Sequence, residues 1–130
     1  MKLVLDLGPE HVYLFEPVPA PRMTKSAAWS TEPGVLRFKE FCKDVRRRGV
    51  DLPVPFVVEF HLRTNVESRE GSDHLFKPDT DNLVKGLIDA VFWKKKGGDS
   101  HMCKFAASKV WSTVESHFIV WPVLGWTMED

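Results

Sequence analysis

The sequence predicts an α+β fold, a small mixed β-sheet of about four strands with two main helices. Three observations predict it. Apolar residues recur at helical spacing in only two stretches, residues 34–48 and the segment after Pro78. Residues 56–62 alternate, with Phe56, Val58, Phe60 and Leu62 facing one way and Val57, Glu59 and His61 the other. Residues 101–111 and 116–122 are rich in aromatic and β-branched side chains around Ser112-Thr113, which reads as two strands forming a hairpin. Two helices, about four strands and a terminal hairpin give an α+β fold.

The elements follow in chain order. Residues 11–18 form a short apolar run around Tyr13 and Phe15, read as a strand. Pro17, Pro19 and Pro21 then exclude a central strand or helix, so an extended loop is expected, with Arg22 and Lys25 just beyond it. Val35, Phe38, Phe41, Cys42 and Val45 make the apolar stripe of the first helix, which Gly49 ends. Its Arg46-Arg47-Arg48 run is read as helix-end charge rather than DNA contact, since cations there are favourable by about 0.3–1 kcal/mol each. Thr64 to Asp73 is polar and contains glycine, a loop. Pro78 biases Lys77 toward an extended conformation, so the second helix starts after it, with Leu83, Val84, Leu87, Ile88 and Val91 as its stripe.

A chain of 130 residues fits one domain, residues 1–130. Its 18 Lys+Arg balance 18 Asp+Glu, which excludes a uniformly basic coat for nucleic acid but leaves room for a local basic patch. Cys42 and Cys103 lack a CxxC spacing and are expected to be buried thiols in a reducing compartment. Asp6 interrupts the first apolar run too early for a signal peptide. The longest apolar stretch, Phe118 to Trp126, is shorter than a membrane span and contains Pro122 and Gly125. A cytoplasmic location without membrane partner is expected. The pair His101-x-Cys103 lacks the repeated spacing of a zinc site. Of the tryptophans, Trp93, Trp111, Trp121 and Trp126 read mostly as core, while Trp29 sits in a polar loop where it could touch a partner.

The chemistry concentrates in Phe76-Lys77-Pro78-Asp79-Thr80-Asp81-Asn82-Leu83-Val84-Lys85, continuing to Asp89-Ala90. Asp79 and Asp81 stand close together at a helix start. Asp89 lies two turns beyond Asp81, about 12 Å along the axis. Asp99 follows the Gly97-Gly98 turn and can fold back toward them. Clustered carboxylates repel unless one is protonated or a cation sits among them. Hard oxygen donors suit Mg²⁺ or Mn²⁺, and Lys85, one turn past Asp81, can neutralise phosphate charge. The same spacing also suits plain helix capping by Asp79 and Asp81, and an ordinary Lys85–Asp89 ion pair on a solvated face.

This segment resembles the signature of the RusA family of Holliday junction resolvases, in which an Asp-x-Asp-Asn-Leu-x-x-Lys run opens a helix that ends in Asp-Ala. The proline-rich loop from Pro17 to Thr24, His74 before the motif, and Lys109 and Trp111 after it are similar to flanking features of phage and prophage members. The resemblance spans about residues 11 to 122. It implies a RusA-like fold in which Asp79, Asp81 and Asp99 are catalytic and bind metal and Lys85 is the catalytic lysine. Asp89 is then structural rather than a ligand. Two departures stand out: Gly98 replaces the first of two consecutive acids, and His101 replaces the usual glutamine.

The resemblance implies a Mg²⁺-dependent endodeoxyribonuclease (with Mn²⁺ as a substitute) that resolves four-way DNA junctions by paired symmetric cuts in recombination and repair. It also implies a homodimer, a bacterial or phage-infected cell and no organic cofactor. Lys94, Lys95, Lys96, Lys104 and Lys109 outnumber Asp99 as the only acid between residues 94 and 109; the lysine triplet suits a helix C-terminus by itself, and with the resemblance it reads as a basic rim round an acidic centre. Arg22, Lys25, Lys77, Lys94, Lys95 and Lys96 are the expected DNA contacts. The alternatives are a nuclease for flaps or other branched DNA, a catalytically inactive junction-binding protein, and a small protein-interaction domain.

Overall fold

The computed structural model describes residues 1–21, 32–53, 55–92 and 105–130. Its elements are β1 (Lys2–Leu7), β2 (His11–Tyr13), α1 (Pro33–Arg47), β3 (Phe56–Arg63), a single 3₁₀ turn (Glu67–Arg69), α2 (Thr80–Val91), β4 (Phe105–Ser112) and β5 (His117–Glu129). The fold is mixed α+β, as the periodicity predicts. The sheet has five strands in the order β1-β5-β3-β4, with β2 also paired to β5.

Two expectations are corrected. β4 and β5 do not form a hairpin, because β3 lies between them, parallel to β4 and antiparallel to β5. The cause is α2, which carries the chain from β3 across the sheet and returns it in the same direction, as parallel neighbours require. The residue 11–18 run is also not all strand: only His11–Tyr13 pairs, and Phe15 turns inward against Phe41 and Phe118. β1 is an added strand that alternation over six residues marks only weakly. β5 continues through Pro122 to Glu129, beyond the expected end. Pro122 is tolerated because its missing N–H falls between the β2 pairing, which ends at Val120, and the β1 pairing, which begins at Val123, while its carbonyl still accepts from Gly8 N at 2.8 Å.

The core lies on one face of β3. Phe56, Val58 and Phe60 meet Phe118 and Val120 of β5, Phe38, Phe41 and Val45 of α1, and Leu83, Leu87 and Val91 of α2. Burying each of these large apolar side chains contributes roughly 1.5–3 kcal/mol. α1 ends where Gly49 takes a positive φ of 62°, and Val50 N bonds back to Val45 O at 3.1 Å. Arg46 and Arg47 stand in the last turn of α1 and Arg48 is its C-cap residue. Arg47 pairs with Asp44, and Arg48 lies 4.8 Å from the centre of the Phe15 ring. Cys42 is buried, and burial chiefly pushes its thiol pKa up; Cys103 lies outside the described residues.

The tryptophans are less buried than expected. Trp126 is 67% exposed and stands opposite Leu5 on β1, beyond the part of β5 that pairs with β3. Trp111 and Trp121 are half-buried, and Trp29 and Trp93 lie outside the described residues. No described helix is long and apolar enough to cross a membrane.

Candidate active site

The site is built from the loop that leads into α2. That loop docks on the outer edge of β4. Gly71 N donates to Trp111 O at 3.0 Å, Trp111 N to Ser72 O at 2.9 Å, and His74 N to Lys109 O at 3.2 Å. His74 is buried with its ring 3.9 Å from Trp111, centre to centre, and its Nδ1 accepts from Phe76 N at 3.3 Å. Burial, and after it the Lys109 charge, lower the His74 pKa below the usual imidazole range.

Lys109 is the second anchor. The register sets it beside Phe60, on the face that carries the helices. Its Nζ donates to Phe76 O and, at 2.6 Å, to Pro78 O. One lysine thus grips both carbonyls flanking Lys77, immediately before Asp79. The Lys77–Pro78 peptide is cis.

Asp79 is the N-cap residue of α2, with extended φ and ψ of −70° and 147°. Its carbonyl accepts from Leu83 N at 3.1 Å, but its carboxylate makes no capping hydrogen bond. The capping role therefore does not consume it. Lys77 Nζ lies 3.7 Å from Asp79 Oδ2, an exposed pair worth at most about 1 kcal/mol. Asp81 lies in the first turn, exposed and without a hydrogen-bond or ion-pair partner among the described residues. Lys85 follows one turn on, also exposed. Asp89 is half-buried and close enough to Cys42 of α1 to raise the thiol pKa, so it faces the helix pair rather than the open start of α2.

Asp99, Arg22, Lys25, Lys94, Lys95 and Lys96 lie outside the described residues, as do Gly98, His101 and Lys104. Among the described residues no three His, Cys, Asp or Glu side chains cluster to hold a metal. Asp81, without a described partner, and Asp79, held only by the exposed Lys77 pair, offer hard oxygen donors that suit such an ion.

Sequence reasoning missed three residues here. Gly86 of α2 is the contact point for the proline loop: a Cβ there would lie 2.4 Å from Val18 O and 2.9 Å from Ala20 N. Ala20 N also donates to Asn82 O at 3.0 Å. The loop toward Arg22 therefore leaves from beside the acidic turn. A glycine inside an amphipathic helix was the available signal, since it weakens the helix by about 1 kcal/mol relative to alanine unless packing requires it. Leu75 and Phe76 are the others, large apolar side chains left exposed next to Lys77. No family model matches the chain, and no curated protein matches it.

Two outcomes are expected here. Lys109→Met frees the Phe76 and Pro78 carbonyls and is expected to loosen the turn before Asp79, seen as faster amide exchange over residues 75–79 than in wild type. His74 holds its proton less well folded than unfolded, so its contribution to stability is present above about pH 6.5 and is lost as the pH falls below that value. Urea melts of wild type and His74→Gln across that range check it: the variant loses the acid-dependent part.

Proposed function

We propose that the chain is a Mg²⁺-dependent endodeoxyribonuclease of the RusA type that resolves four-way DNA junctions by paired symmetric cuts, working as a homodimer. The observation that carries this reading is the start of α2. Asp79 and Asp81 stand there in solvent, neither used as a cap, with Lys85 one turn on. In this reading Asp79, Asp81 and Asp99 hold the cation. A bound Mg²⁺ or Mn²⁺ supplies an activated water and a polarised phosphodiester.

The chain's own residues do the rest. Lys85 offsets charge on the phosphate and its leaving oxygen, giving a 5′-phosphate and a 3′-hydroxyl. Lys77, with Arg22, Lys25, Lys94, Lys95 and Lys96, holds the backbone through salt-dependent contacts. Phe76, 61% exposed beside Lys77, offers a ring for an unstacked base. Two equivalent sites related by a two-fold axis match the symmetry of a four-way junction.

The test is cleavage in Mg²⁺ of a four-way junction, a flap and a linear duplex of related sequence. The junction is expected to be cut first, at symmetric positions in opposing strands. Preference for the flap moves the reading to a general branched-DNA nuclease. Junction binding without cleavage in Mg²⁺ or Mn²⁺ moves it to an inactive binder, for which Gly98 would be the cause. No salt-dependent DNA affinity at all overturns the nucleic-acid reading.

A further inference from the structure

β1 is an edge strand, and among the described elements it pairs only with β5. Its partner residues on β5 run from Val123 to Glu129, whereas β3 pairs with β5 only up to Pro122. The end of the sheet is therefore a two-stranded arm, and a two-stranded ribbon alone is marginally stable in water. The register sets Leu3 opposite Met128, Leu5 opposite Trp126 and Leu7 opposite Val123, and directly opposed residues share a face. This face is apolar yet open: Leu3 is 55%, Trp126 67% and Met128 50% exposed.

The free edge has a self-complementary sequence, Lys2-Leu3-Val4-Leu5-Asp6. Let it pair antiparallel with its own copy about Val4. Lys2 then falls opposite the partner's Asp6, Leu3 opposite the partner's Leu5, and Asp6 opposite the partner's Lys2. Lys2 and Asp6 are both exposed, and neither makes an ion pair among the described residues. Charges on an edge strand usually keep other strands away. Here they sit at the two ends of an apolar triplet with opposite signs, the pattern that admits one antiparallel mate and disfavours a parallel one. An unrelated partner has no need of a sequence that complements itself.

We infer that β1 is a homodimer interface, pairing antiparallel with β1 of a second copy to join the two sheets and continue the Leu3, Leu5 and Trp126 face across the two-fold axis. The inference takes the homodimer from the paired-cut reading above and gives it a geometry. Its test measures mass rather than cleavage, so the two fail separately.

Sedimentation of the full chain provides the test. Wild type runs as a dimer of the 14.9 kDa chain. Lys2→Glu and Asp6→Lys each set like charges opposite one another twice per dimer, so each variant alone dissociates roughly tenfold or more readily. In an equal mixture the introduced acid faces the introduced base and native Asp6 faces native Lys2, so the dimer returns. Lys2 also lies opposite Glu129 of its own chain, and the mixture keeps that internal clash, so recovery reports the contact between chains. Monomeric wild type, single variants as dimeric as wild type, or a mixture that stays dissociated each overturn the inference.

Discussion

Asp81→Asn should lower the rate of junction cleavage in Mg²⁺ by roughly 10²–10³-fold, the loss expected when several kcal/mol of metal-derived transition-state stabilisation disappears. Asparagine keeps the shape and removes the charge. Asp81 is exposed and has no described partner, so the melting curve should not move, and surface changes of this kind stay within about 0.5 kcal/mol. Asp79→Asn should lower the rate alike; its carboxylate makes no cap bond, and losing the exposed pair with Lys77 costs at most about 1 kcal/mol. Asp51→Asn, an exposed acid elsewhere, serves as the control and should cut like wild type. Single-turnover cleavage of an end-labelled junction gives the rates. Equal rates for wild type and Asp81→Asn would remove the acidic turn from the chemistry.

Gly86→Ala is expected to reverse the usual ranking of glycine and alanine in a helix. Alanine normally gains about 1 kcal/mol there. At Gly86 the added carbon would sit 2.4 Å from a backbone carbonyl, and the loop that carries it is held by buried Val18 and by the Ala20–Asn82 hydrogen bond. Neither side yields cheaply. Overpacking of this kind costs about 1–3 kcal/mol, and the net loss should lower the melting temperature by several degrees. Gly34→Ala in α1 meets nothing within 4 Å and should cause no loss. If both substitutions stabilise, the loop does not rest on α2 as described. Cleavage measured below the melting range should also weaken in Gly86→Ala, since the loop passes beside Asn82 on its way to Arg22.

The sequence carried the elements whose signal is periodic. β3 alternates as read, and α1 and α2 bury the predicted stripes. It did not carry strand partners, because partner choice depends on the crossover through α2 and on which edges the loop before Asp79 covers. Nothing in residues 101–122 distinguishes a hairpin from two strands separated by a third. The short β1 was unreadable for a related reason: its apolar face is exposed, so hydrophobic alternation did not mark a core. At the site, the placement of Asp79 and Asp81 at the start of α2 was legible from spacing. Lys109 was visible only as a lysine on a strand, because its role comes from two carbonyls more than 30 residues away in sequence.

On the proposed function, two such sites cut one junction as a pair. A supercoiled plasmid bearing an extruded cruciform reads this directly. Paired cuts within one binding event convert it to the linear form, while single independent cuts release the supercoils, reabsorb the cruciform and stop at the nicked circle. In Mg²⁺ the linear product is expected to appear from the start, without build-up of nicked circle. Nicked circle alone, or no product in Mg²⁺ or Mn²⁺, would contradict paired cutting by a homodimer.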